Sequence, residues 1–170
     1  NMRVEGIIAC LSQETTDYSH WASLADINMP LVFFDRVCLT ELFSSVVADG
    51  AQSAQAATQH LLDNGSKRIA FIGGANHLSI VKQRKHGYLE ALRANRIPIE
   101  KELVVCRRID YEEGMKATES LLALSNPPDA ILAMNDTLAF AAMEVIKKHG
   151  LRIPQDIALI GYTDERHANY

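Results

Sequence analysis

The sequence predicts an α/β protein of doubly wound parallel sheets in two lobes, and three observations carry that expectation. The run Pro128-Asp129-Ala130-Ile131-Leu132-Ala133-Met134 stops abruptly at Asn135-Asp136; an amphipathic segment follows; and a second apolar run, Ile157-Ala158-Leu159-Ile160, stops at Gly161-Tyr162. Such runs, with little polar alternation, suit strands buried on both faces, as in a parallel sheet covered by helices. From residue 68 onward, strand-like and helix-like stretches alternate several times, the pattern of right-handed βαβ units.

The elements follow in order. Residues 4–10 and 31–34 are short apolar runs, the second ending at Asp35, and 18–26 between them have helix-compatible spacing, so the chain opens on a strand-helix-strand unit. A third run at 45–48 follows Asp35 through a link shorter than the ~10–12 residues of a helical crossover, which predicts an interruption of the regular winding. In 50–64, Ala54, Ala57, Leu61 and Leu62 fall at helical intervals, and Gly65 supplies a left-handed stop. A strand at 68–72 leads through Gly73-Gly74 to a long helix over 79–95 with Tyr88, Leu89 and Leu92 on its apolar side. After a strand at 103–106, Asp110 with Glu113 forms a capping box with Asp in the capping place, opening a helix that carries Met115, Leu121 and Leu122 and ends at Asn126-Pro127-Pro128. A strand at 130–134, a helix at 137–149 stopped by Gly150 and a strand at 157–162 complete the series. The break at Gly65-Ser66-Lys67 suggests passage between lobes, giving 1–66 as part of a first lobe, 67–163 as a second and 164–170 as the start of a crossover back.

Composition narrows the function classes. With 170 residues, 48% of them hydrophobic, the chain has apolar material for one domain or two small lobes. A net charge of -4 with scattered Lys and Arg leaves no electrostatic footprint for nucleic acid. No apolar run approaches the ~20 residues that span a bilayer, and the N-terminal stretch lacks the order of a signal peptide, so no membrane partner and a cytoplasmic location are expected. Cys10, Cys38 and Cys106 are odd in number, far apart and form no C-x-x-C, which makes them reduced packing residues. The six histidines show no metal-ligand spacing, and Gly73-Gly74-Ala75-Asn76 is neither a dinucleotide-binding nor a P-loop pattern. No metal, no cofactor and no enzyme activity are expected, Cys10 and Ser12 having no assignable base.

Several segments carry a family resemblance: Val4-Glu5-Gly6-Ile7-Ile8, Pro30-Leu31-Val32-Phe33-Phe34-Asp35-Arg36, Ala57-Thr58-Gln59-His60-Leu61-Leu62 and Lys67-Arg68-Ile69-Ala70-Phe71-Ile72-Gly73-Gly74. Further on stand Arg84-x-x-Gly87-Tyr88-x-x-Ala91-Leu92, Pro128-Asp129-Ala130, Asn135-Asp136 and the stretch from Ile153-Pro154 to Gly161-Tyr162. In this order they resemble the ligand-binding core of the lactose-repressor/galactose-repressor family of transcription regulators, which shares its fold with periplasmic sugar-binding proteins. The resemblance implies a small-molecule effector, a sugar or nucleoside-like metabolite, that closes two lobes of a homodimer. It also implies operator DNA contacted only through a helix-turn-helix headpiece that has no counterpart in these 170 residues. The alternative is a solute-binding protein of a sugar transporter.

The candidate site residues follow from strand ends and from the resemblance. Asp35 and Asp49 end apolar runs in the first lobe, and Asn135, Thr163 and Asp164 end runs in the second. Carboxylates and amides fix a polyol or nucleobase by paired hydrogen bonds, and leaving one unpaired in a dry cleft costs ~1–3 kcal/mol. Helix capping is the competing role for Asp49 and for Asp136. The resemblance implies a ligand-contacting amide at Asn135, an arginine reaching into the cleft at Arg84 and an aromatic platform at Tyr111; a solvated helix face shared with Lys82 and Lys85 competes for Arg84, and packing for Tyr111. Thr163 is a departure, since many members carry aspartate at the matching place, and one hydroxyl in place of a charged double acceptor changes the ligand preference. Asp164 is a candidate replacement, although direction alternates along a strand. The resemblance also implies a first lobe lacking strands, with an open sheet edge. Residues 1–170 alone are therefore expected to self-associate, and monomeric behaviour at high concentration in light scattering would contradict this.

Overall fold

A computed structural model describes residues 4–165. Its elements are β1 (Ile7–Ala9), α1 (Ser19–Asp26), β2 (Leu31–Phe34), β3 (Ser44–Val46), α2 (Gly50–Asp63), β4 (Ile69–Gly73), α3 (Ser79–Ala94), β5 (Val104–Cys106), α4 (Tyr111–Leu122), β6 (Ala130–Ala133), α5 (Asp136–Lys148) and β7 (Ala158–Ile160). They build two parallel sheets, ordered β1-β2-β3 and β5-β4-β6-β7. The α/β class and parallel winding are as the sequence predicts.

In the second sheet every residue of β4 and β6 is buried, which is why their sequences, IAFIG and AILA, carry no polar alternation. The helices pair as α2 with α3 and α4 with α5, forming two layers against the strands. Tyr88 on α3 is fully buried, stacks on Phe71 at 5.5 Å between ring centres and donates its hydroxyl to the Ile69 carbonyl at 2.8 Å, so its one polar atom is satisfied inside the core. At the amino ends of the strands, the Asp129 carboxylate accepts from the amides of Lys67 and Arg68 at 2.8 and 3.0 Å, fixing the register of β4 against β6.

The first sheet is thinner. Phe33 is fully buried, with Trp21 at 5.3 Å and Phe43 at 6.1 Å, both edge-on. No helix separates β2 from β3. The 35–43 link instead turns at Leu39 and buries Cys38 and Phe43 beside Phe33, so its own side chains supply the cover a crossover helix would give. Ile8 and Val46 are 77% and 67% exposed, leaving apolar surface on this lobe.

The expected boundary at residue 66 does not match the packing. Ala54 and Leu61 of α2 lie in the same core as β4 and β6, so by its contacts α2 goes with the second sheet, and the cores divide before Gly50. Gly65, at φ +98°, is a helix stop before β4 rather than a passage between lobes. Of the stretch 164–170, expected to begin a return crossover, only 164 and 165 fall within the described residues.

The tightest helix contact sets a requirement on one residue. A Cβ on Gly87 would overlap the Ala51 carbonyl oxygen and come within 2.9 Å of the Gln55 amide nitrogen, so α2 and α3 touch backbone to backbone there. Gly→Ala in an exposed helix gains about 1 kcal/mol, but overpacking a rigid contact costs about 1–3 kcal/mol. Gly87→Ala is therefore expected to destabilise the protein by about that overpacking cost, read as a lowered midpoint in urea unfolding; an unchanged or raised midpoint would contradict the close approach.

Candidate functional site

The second sheet reverses its winding at β4, with β5 on one side and β6 and β7 on the other. In open parallel sheets the carboxyl ends of the strands at this reversal leave a crevice. A cleft of about 370 Å³ lies there, lined by Asp35, Arg36, Ile80, Arg84, Ile109, Met134, Asn135, Thr163 and Glu165. Each lining residue follows the carboxyl end of a strand: Asp35 and Arg36 after β2, Ile80 and Arg84 on the helix after β4, Ile109 after β5, Met134 and Asn135 after β6, Thr163 and Glu165 after β7.

Arg84 is the most constrained of these side chains. Its guanidinium donates to the Met134 carbonyl and lies 4.2 Å from the centre of the Tyr162 ring, a cation-π geometry. Its Nε is buried without a hydrogen-bond partner, and among the described residues it forms no ion pair. Burial pulls its basicity below the ordinary arginine value, against the opposing influence of Tyr162 and Asp35. The solvated-face alternative therefore does not hold for Arg84, which reaches the cleft.

Asn135 serves twice. Its Oδ1 accepts from the Leu138 amide at 3.2 Å, capping α5, while its Nδ2 makes no hydrogen bond among the described residues and stands at the cleft. Asp35 takes a left-handed conformation, φ +56°, its amide donating to the Val46 carbonyl at 3.2 Å, and its carboxylate lies 3.8 Å from the Arg36 guanidinium. Beyond β7, Thr163 and Asp164 both have positive φ, 106° and 54°. The turn is anchored by Asp136, 6% exposed, whose Oδ2 accepts from the Glu165 amide at 2.7 Å. Thr163 lines the cleft, while Asp164 is exposed and does not; Glu165 occupies the wall instead.

Besides Asp164, two expected site residues lie elsewhere. Asp49 caps α2, accepting from the Gln52 amide at 2.9 Å, and is not on the cleft wall. Tyr111 donates its hydroxyl to Glu144 at 2.6 Å, bridging α4 to α5, and lines a separate surface hollow with Arg108 and Asp110. The cleft receives Ile109 in its place, two residues before α4 begins. Sequence reasoning also passed over Arg36, Ile80, Met134 and Glu165. Ile80 had a signal, standing four residues before Arg84 on the same helix face.

Polar contacts tie the lobes together around the cleft. The Gln13 side chain accepts from the Ile109 amide at 2.9 Å and donates to the Ile109 carbonyl at 3.5 Å. Beside it Arg108 meets Glu14 at 2.9 Å, and Ser79 Oγ accepts from the Val37 amide at 3.5 Å. Among the described residues, no helix is long and apolar enough to cross a membrane, and no group of three or more His, Cys, Asp or Glu side chains is placed to hold a metal ion.

Comparison with known proteins gives concordant results. The profile described as periplasmic binding proteins and sugar binding domain of LacI family matches residues 1–165. The probable HTH-type transcriptional repressor ExuR of Bacillus subtilis is 37% identical over 169 residues, covering 99% of this chain and 50% of that protein. The ribose operon repressor of Haemophilus influenzae is 35% identical over 145 residues, 85% of this chain and 43% of that one. Among solved structures, a LacI-family regulatory protein from Chloroflexus aggregans superposes with a TM-score of 0.89 at 30% identity, over 98% of this chain and 59% of that one. The transcriptional regulator CelR in complex with cellobiose gives a TM-score of 0.85 at 31% identity, over 95% and 49%. The chain spans about half the length of the curated relatives it matches.

The Asp49 side chain separates capping from binding. Asp49→Ala is expected to lower stability by about 1 kcal/mol, the usual worth of a cap, in denaturant unfolding, and to leave ligand affinity unchanged by calorimetry; a tenfold loss of affinity would return it to the site.

Proposed function

The chain belongs to the family of periplasmic binding proteins and LacI-type sugar-binding domains, and from that premise we propose that it is the effector-binding and dimerisation core of a transcription repressor. The observation that carries the reading is the convergence of Asp35, Arg84, Asn135 and Thr163 on one cleft, with residues from both lobes facing each other across it. A cleft of about 370 Å³ suits a metabolite of monosaccharide or nucleoside size, with Ile80, Ile109 and Met134 for its apolar face. The relatives reported above are repressors rather than enzymes or transport components, which supports regulation over solute transport.

In this reading the whole protein is a homodimer in the cytoplasm, and a helix-turn-helix segment outside these residues holds operator DNA. An effector bridging the lobes stabilises the closed arrangement in which Gln13 grips the Ile109 backbone. Closure changes operator affinity only by the difference in effector affinity between the two arrangements, typically about 1–3 kcal/mol, or about 5–150-fold.

The test uses the full-length protein, its operator and a panel of sugars and nucleosides. One of these is expected to shift operator affinity within that range. Asn135→Asp keeps the acceptor that caps α5 and removes the Nδ2 donor, so it should unfold within about 0.5 kcal/mol of the parent yet lose at least about tenfold in effector affinity. A full-length dimer whose operator affinity ignored every metabolite tried would overturn the reading.

A further inference from the structure

The charges around the cleft identify the class of effector, an inference that rests on the effector-binding reading above. Four ionisable side chains line the site, and two of them, Asp35 and Arg36, already face each other at 3.8 Å. Arg84 has no such partner. It is half-buried, its guanidinium is shared between a neutral carbonyl and an aromatic ring, and its Nε is sealed off without an acceptor. Taking a cation out of water is costly, Asp35 offsets only part of that cost from a distance, and an anion in the cleft recovers the rest. Around it the wall offers Thr163, a neutral hydroxyl, and the free Nδ2 of Asn135, a donor, while its carboxylates are Asp35, beside Arg36, and Glu165.

We propose that the cleft takes an acidic monosaccharide, a sugar bearing one carboxylate, with the carboxylate on the Arg84 guanidinium and the ring hydroxyls shared between Asp35, Asn135 and Thr163. Guanidinium and carboxylate match in planar, bidentate geometry, and charge-assisted bonds of this kind are about twice as strong as neutral ones. The apolar side chains of Ile80, Ile109 and Met134 leave room for the face of a ring. A sugar phosphate fits less well. Its charge at neutral pH is about -1.5 to -2, and it would sit in a cleft that also holds the carboxylates of Asp35 and Glu165 with a single unpaired arginine.

The test is calorimetric titration of the full-length protein with matched trios: galactose, galacturonate and galactose 6-phosphate, and the corresponding glucose series. One uronate is expected to bind at least about tenfold more tightly than its neutral parent and than its 6-phosphate. Arg84→Met should abolish that preference. Thr163→Asp places a carboxylate on the same wall at a positive-φ position that Asp tolerates better than Thr; whatever it costs the neutral sugar through the lost hydroxyl, it should weaken the uronate at least about tenfold more. A neutral sugar binding as tightly as its uronate, or a preference that survives both substitutions, overturns the acidic-sugar assignment while the effector cleft stands. Tightest binding of a 6-phosphate overturns the carboxylate in favour of a phosphate. Failure of all six sugars to bind overturns the assignment as well, and the effector reading falls with it only if operator affinity also ignores the wider metabolite panel.

Discussion

The structure depends on burying β4 and β6 on both faces. Their backbone groups have no water to turn to, so hydrogen bonds must come from β5, β7 and each other, and the side chains between the helix layers must be apolar. Polar chemistry is thereby confined to the strand ends. At the amino ends Asp129 uses it for cohesion, gripping two backbone amides. At the carboxyl ends the groups open into the cleft, and Asn135 divides its amide between a cap and a free donor.

Arg84 shows how that confinement becomes function. It sits one turn from Ile80 on a helix that buries the neighbouring Val81, Tyr88 and Leu92 in the core, so its backbone is fixed by packing. Gly87 lets α3 lie against the backbone of α2. With the stem so held, the guanidinium has little choice but the space between Met134 and Tyr162. The rigid lobe thus presents a preorganised cation, and ligand binding need not order it.

The first lobe works differently. Its core is a small aromatic cluster around Phe33, its β2–β3 link carries no helix, and polar contacts through Gln13, Glu14 and Val37 join it to the second lobe. Polar contacts between lobes exchange for water more readily than a packed apolar interface, which suits a hinge between two arrangements. Asp35 and Arg36 stand at the end of this smaller lobe, so the cleft takes its walls from both lobes.

The sequence by itself determined the elements. Unbroken apolar runs marked β4 and β6, helical spacing and caps at Asp110 and Gly65 marked where helices begin and stop, and the short link after Asp35 foretold the missing crossover. These are local consequences of burial periodicity and backbone preference, legible in a few residues at a time. The cleft-lining Asp35, Asn135 and Thr163 were legible as candidates because a parallel sheet sends every strand end to one edge, and Arg84 was legible only through the family resemblance. Only the tertiary structure decided that α2 packs with the second lobe, that Asp49 and Tyr111 turn to a cap and a helix bridge, and that Ile109, Arg36 and Glu165 take places on the wall. Those outcomes depend on which side chains from distant segments meet, and on backbone turns such as the two positive-φ residues after β7, beyond which Glu165 rather than Asp164 stands on the wall. No local pattern encodes that turn; the buried carboxylate of Asp136 holds it from another element, accepting from the Glu165 amide.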